Sequence, residues 1–161
     1  MIAGSMTRLG LTAAVLVFGL DQLTKWAALF VLDLPEQSIT VTPFFNLVMV
    51  WNRGVSFGML HSAGVLAPWL LSGLALAVVI GLLVWLRRTE HWLIAIGLGL
   101  VIGGALGNVV DRLRYGAVVD FLDFHAAGYH WPAFNVADAA ICIGAAVIVV
   151  DGLLAPRRQY T

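Results

Sequence analysis

Four runs of apolar residues, at 9–32, 65–86, 92–110 and 136–154, dominate this chain of 161 residues. A helix crossing a hydrocarbon core of about 30 Å needs about 20 such residues. Four runs of that length predict four transmembrane helices, with spans at those positions. They leave two longer connecting segments, at about 33–64 and 111–135, on one side of the membrane. Composition agrees: 61% of residues are hydrophobic and 11% charged, whereas a soluble domain has about a quarter charged. The expectation is an α-helical integral membrane protein, residues 1–161 forming one domain. The first run carries Asp21 and Lys25 and is followed by no convincing small-residue cleavage site, so it is predicted as a retained helix rather than a signal peptide.

An even number of spans puts both termini on one side. Arg8, Arg87, Arg88, Arg157 and Arg158 fall on that side, and Arg53, Arg112 and Arg114 on the other. The excess of basic residues assigns the termini to the cytoplasm and the two long segments to the outer side. Trp69, Trp85, Trp92 and Trp131 lie near span ends, where interfacial belts form. Net charge is zero, which gives no case for a nucleic-acid partner. Cys142 is the only cysteine; it excludes an intrachain disulfide and is expected as a small core residue. His61, His91, His125 and His130 are scattered as interfacial or loop residues. No Cys/His spacing suits a metal, and neither metal nor cofactor is expected.

The first outer segment holds QSITVTPFFNLVMVWNRGVSFGML, rich in β-branched and aromatic residues and punctuated by Pro43 and Gly54. It predicts short strands in a small amphipathic sheet on the membrane surface. In the third run Gly99, Gly103 and Gly107 recur every four residues and share a face that admits a neighbouring helix closely. Asn108 and Arg112 emerge from that packed bundle, roughly in line with Gly104.

Ionisable groups inside such a chain are costly without a partner or a task. Asp21 and Lys25 are four apart and can pair along their helix; alternatively Asp21 points into the bundle to support a site. Asn52-Arg53-Gly54 is turn chemistry. Asp111 and Arg112 suit a helix-end pair, and Arg114 a headgroup contact. In VVDFLDF, Asp120 and Asp123 would face opposite sides of a strand but lie close on a helix. Asn135 suits an N-cap, with Asp138 three residues on. Two carboxyls brought within hydrogen-bonding range share a proton, and such a pair can activate water and protonate a leaving amine. Asp138 is one candidate; Asp120 and Asp123 compete for the other.

Five blocks now stand in order: DQLTK at 21–25, WNRGVSFG at 51–58, GGALGNVVDR at 103–112, VVDF at 118–121 and FNVADAAI at 134–141. In them the chain resembles the lipoprotein signal peptidases (signal peptidase II), bacterial intramembrane aspartic proteases. The resemblance implies Asp120 and Asp138 as catalytic dyad, with Asp21, Asn52, Gly104, Asn108, Arg112 and Asn135 in support. It places the segment around 52–58 in a small periplasmic β-sheet cradling the substrate. Arg53, Val55 and Ser56 depart from what many members carry there. The implied substrate is a prolipoprotein bearing diacylglycerol on its Cys, held in membrane lipid and cut just before that Cys. Globomycin-type inhibitors, an inner-membrane location and a monomer follow from the same resemblance. A small transporter using Asp21, Arg112 and Asp138, or a non-catalytic assembly factor using the glycine faces, are the alternatives. GVSFG at 54–58 has the GxSxG spacing, but none of the five Ser residues has an obvious His partner, which disfavours a serine hydrolase.

Overall fold

The computed structural model describes residues 2–54 and 66–154, in the order α1 (Ile2–Phe30), β1 (Ile39–Thr42), β2 (Phe45–Asn52), α2 (Ala67–Arg88), α3 (Trp92–Tyr115), β3 (Val118–Ala126), β4 (Tyr129–His130) and α4 (Val136–Leu154). All four helices are long and apolar enough to cross a membrane. α4 has the predicted bounds. α2 lies two residues later than expected, with a proline in its first turn and Arg87 and Arg88 in its last. α1 begins well before residue 9.

The end of α3 differs most from expectation. The helix continues past 110 to Tyr115, and Gly116 stops it in a left-handed conformation (φ 71°) with its amide on the Arg112 carbonyl. This is the usual glycine termination. Asp111, Arg112 and Arg114 therefore ride on the last turns of α3 rather than in an outer loop.

α3 is the central helix. In its apolar window 56% of residues are buried, against 22%, 17% and 17% in α1, α2 and α4, so those three turn most of their surface outward. The core between them joins Ala14, Val79, Leu86, Ala95, Leu98 and Ile102. The expected glycine face is real. A Cβ at Gly99 would strike the Gly10 carbonyl, and one at Gly103 the Ala14 carbonyl, so α1 packs backbone to backbone on α3. Gly104 opens the other face: a Cβ there would come 2.5 Å from the Ala137 carbonyl of α4.

Cys142 is not a core residue. α4 buries Ala137, Ala140 and Gly144, and Cys142 lies on the opposite, exposed side. An apolar run alone does not say which of its faces meets lipid.

The sheet is antiparallel, in the order β1-β2-β3-β4, and draws on both outer segments rather than the first alone. Its longest strand, β3, is the VVDFLDF stretch. β2 ends at Asn52, and 55–65, including Val55, Ser56, His61 and the predicted span start at 65, lie outside the described residues. Arg157 and Arg158 lie outside them too. Between Leu47 and Val50, β2 carries one residue more than the facing stretch of β3. Beneath the sheet, Leu34, Val119 and Phe121 pack with Ala28 and Leu29 from the end of α1, which fixes the sheet to the bundle.

Candidate active site

The β3 strand settles which acid faces which way: Asp120 and Asp123 project from opposite faces. Asn46 stands opposite Asp123, and Asn52 lies diagonal to Asp120 across Val118. Asn46 and Asn52 would share a face in a regular strand. The extra β2 residue between them rotates the pleat, so that each asparagine meets a different acid.

Asp120 is fully buried. Asn52 Nδ2 donates to its Oδ2 at 2.9 Å, and Asn135 Nδ2 to its Oδ1 at 2.7 Å. Both amides are oriented from elsewhere. Asn52 Oδ1 accepts the Gly54 amide at 2.8 Å, and Gly54 sits at φ 76°, so the Asn-Arg-Gly turn turns the Asn52 NH2 toward Asp120. Asn135 Oδ1 accepts the Asp138 amide at 2.9 Å, while Asp138 Oδ2 accepts the Asn135 amide at 3.3 Å. This is the expected reciprocal cap at the start of α4.

Asn108 links the two acids. Its Nδ2 donates to Asp138 Oδ1 at 2.8 Å, and its Oδ1 accepts Asn135 Nδ2 at 3.2 Å and Lys25 Nζ at 3.0 Å. The chain Asn52–Asp120–Asn135–Asn108–Asp138 thus joins carboxyls from β3 and α4 through amides whose donors all point at acceptors. Asp138 is half-buried, unlike Asp120. Phe134 exchanges backbone hydrogen bonds with Leu122 at 2.9 and 3.1 Å, which holds the approach to α4 beside β3.

Burial first, and then the charge of Asp138, push the Asp120 carboxyl up to about 6, against the donors Asn52 and Asn135 and the Lys25 charge. Asp123 behaves oppositely. Burial pushes it up, but hydrogen bonds from His130 and Asn46 outweigh this and hold it below the usual carboxylate range. Its contacts are Asn46 Nδ2 at 3.0 Å and His130 Nδ1 at 2.8 Å; it does not join the Asp120 cluster.

Asp21 pairs along its helix and also points into the bundle. It pairs with Lys25 at 2.9 Å along α1, and its Oδ1 accepts the Ala137 amide at 2.9 Å, tying down the first turn of α4. Gly107 makes room for it, since a Cβ there would strike the Asp21 carboxylate. Arg112 lies among Asp138, Asp111 and Asp120; its Nη1 reaches the Asn108 carbonyl at 3.5 Å and its Nε is buried without a protein partner. Gly104 lets α3 approach the Ala137 backbone at the start of α4.

Sequence reasoning missed the base of the site. Asp111 does not pair with Arg112. It binds Lys25 at 2.7 Å, accepts the Val119 amide at 3.1 Å and takes a bond from Gln22 at 3.1 Å. By gripping Val119 it presents the next residue, Asp120. The available signal was position within the quoted blocks: DQLTK ends on Lys25, and GGALGNVVDR contains Asp111. Among the described residues, no group of three His, Cys, Asp or Glu side chains is disposed to hold a metal.

The family model described as signal peptidase (SPase) II matches residues 13–154. The lipoprotein signal peptidase of Ralstonia nicotianae is 52% identical over 141 residues, covering 86% of this chain and 80% of its own. That of Methylorubrum extorquens is 48% identical over 156 residues, covering 96% and 91%. A bacterial membrane enzyme solved by the in meso method matches with TM-score 0.79 at 29% identity, covering 91% of this chain and 94% of that one.

Proposed function

This chain belongs to the signal peptidase II family and is a multi-pass bacterial inner-membrane peptidase; from that membership and the polar cluster we propose that it removes the signal peptide from diacylglyceryl-modified prolipoproteins, with Asp120 and Asp138 as its catalytic pair. The supporting observation is the chain of oriented amides that joins these two carboxyls from separate elements. It distinguishes them from Asp123, which has its own partners.

Asp120, buried and with its carboxyl raised, carries the proton the pair shares. Asp138, half-buried on the first turn of α4, accepts a proton from a bound water as the water oxygen attacks the scissile carbonyl carbon. The Asp120 proton passes to the carbonyl oxygen as charge develops there. In the resulting tetrahedral diol, Asp138 returns its proton to the amide nitrogen, the C–N bond breaks, and Asp120 recovers its proton from the diol. The new carboxyl stays on the signal peptide and the new amine on the lipidated Cys. No covalent enzyme intermediate forms.

The bias of Arg8, Arg87, Arg88, Arg157 and Arg158 against Arg53, Arg112 and Arg114 supports termini in the cytoplasm and a site near the periplasmic surface. A substrate anchored by its signal helix and acyl chains meets such a site from within the bilayer. The family resemblance is the ground for expecting a monomer, and globomycin-type peptides are expected to compete for the site.

The test is cleavage of a diacylglyceryl-modified prolipoprotein by purified protein, followed as a gel shift. Asp120→Asn and Asp138→Asn should abolish cleavage and Asp123→Asn should retain it. Normal cleavage by the first two variants would end the aspartic assignment.

A further inference from the structure

Lys25 touches neither carboxyl of the pair, and the mechanism above gives it no step. Its side chain is almost wholly enclosed, and its three donors have three acceptors: Asp21 Oδ2 at 2.9 Å, Asp111 Oδ2 at 2.7 Å and Asn108 Oδ1 at 3.0 Å. Two of these are carboxylates, and neutralising them is the expected work of a cation inside a bundle. The third acceptor is neutral and belongs to the amide that holds Asp138.

A side-chain amide occupies nearly the same space after a half-turn that exchanges its oxygen and nitrogen. For Asn108 the two states differ sharply. In the observed one the oxygen faces Lys25 and the NH2 faces Asp138 Oδ1 at 2.8 Å. The turned state would set the NH2 against an ammonium that can only donate, and the oxygen against a carboxylate. Asn135 also favours the observed state, but at 3.2 Å, and the same Nδ2 has Asp120 and Val119 as other acceptors. The charge-assisted bond from Lys25 is the stronger constraint.

We propose that Lys25 is a positioning residue: its bond to Asn108 locks the amide that holds Asp138 in place for catalysis. This rests on the assignment of Asp120 and Asp138 as the pair. The charged groups around this junction are Asp21 on α1, Asp111 and Arg112 on α3, Asp120 on β3 and Asp138 on α4. The positive charge of Lys25 also favours the ionised form of Asp120, so its loss should move the pH profile of cleavage upward.

Removing Lys25 alone would strand two buried carboxylates, so the test uses the charge-balanced variants Lys25→Met/Asp111→Asn and Lys25→Met/Asp21→Asn. Each is compared with its single Asp→Asn control, in wild-type and Asn108→Ala backgrounds, on a diacylglyceryl-modified prolipoprotein. Thermal unfolding identifies the variants that fold. In the wild-type background, loss of Lys25 should lower kcat roughly 10- to 100-fold, the scale for removing an orienting partner, with little change in KM. In the Asn108→Ala background the same change should cost almost nothing further, because the amide it acts through is gone. An equal loss of kcat in both backgrounds, or wild-type kcat without Lys25, would overturn the proposal. Asp120→Asn and Asp138→Asn run alongside; if they cleave normally, the pair assignment has failed rather than the role of Lys25.

Discussion

Removing the Asn52 amide should move the pH profile of cleavage in a direction that the geometry dictates. Asn52 donates to Asp120 Oδ2 at 2.9 Å, and a donor favours the charged form of its acceptor. Its loss in Asn52→Ala therefore raises the Asp120 carboxyl above its starting value of about 6. A hydrogen bond to a charged group contributes about 1.5–3 kcal/mol, and one pKa unit corresponds to about 1.36 kcal/mol. Asn52 is half-buried, so the lower end applies, a shift of about one unit. In the proposed mechanism catalysis requires the proton on Asp120, so the alkaline limb of kcat/KM should move from near 6 to near 7. At pH 7.5 the protonated fraction would then rise from roughly 3% to roughly 25%.

The plateau rate should fall, because the amide also aims the carboxyl. The midpoint and the plateau thus move in opposite senses, which separates this effect from general damage. The assay is initial-rate cleavage of a diacylglyceryl-modified prolipoprotein in mixed micelles between pH 5 and 9. A limb that stays in place, or moves to lower pH, would refute both the proton on Asp120 and its control by Asn52.

Two further outcomes follow from the same geometry. Gly54→Ala forces a residue with a Cβ into φ 76° and against Leu71; it should destabilise the fold by about 1–2 kcal/mol in thermal unfolding and lower kcat as Asn52 loses its anchor. Asp120, raised from 3.8 to about 6, binds a proton in the folded protein that the unfolded chain has released between those values. Wild type should therefore lose up to about 3 kcal/mol of stability as pH rises through that window, and Asp120→Asn should show a flatter pH dependence of Tm.

Helix number was legible because apolar length is a local property that needs no knowledge of partners. The start of α4 was legible for a similar reason: Asn135 and Asp138 carry the whole cap within four positions. The end of α3 was not. A run of charges looks like the edge of a membrane, but Asp111 is neutralised by Lys25 from α1, and the helix continues until Gly116 stops it. The second half of the sheet escaped notice because β3 is buried on both faces near Asp120, so VVDF shows no alternation. Lys25, Gln22 and Asp111 meet across more than 80 positions of chain, and no spacing within either segment records it. The family resemblance named Asp120 over Asp123; the two acids have different asparagine partners because of a bulge in a strand that neither residue belongs to.

Turn, cap and ion pair were the plainest accounts of Asn52, Asn135 and Asp21, and each is correct. On the proposed assignment they also aim the site, because an amide has two ends. Where a structural bond fixes the oxygen, the NH2 is left pointing in one direction. At Asn135 the two uses can be pulled apart. Serine caps a helix about as well as asparagine, so Asn135→Ser can still accept the Asp138 amide and begin α4. It has no NH2 to reach Asp120, Asn108 and the Val119 carbonyl at once. The fold should therefore survive with a loss of about 1–3 kcal/mol from the acceptors left short of a donor, while kcat falls far more than the small unfolded fraction explains. Asn135→Ala should lose the cap as well and be the less stable of the two. If Asn135→Ser melts slightly early yet cleaves at the wild-type rate, the cap is all that Asn135 provides, and the amide chain between the two carboxyls is packing rather than alignment.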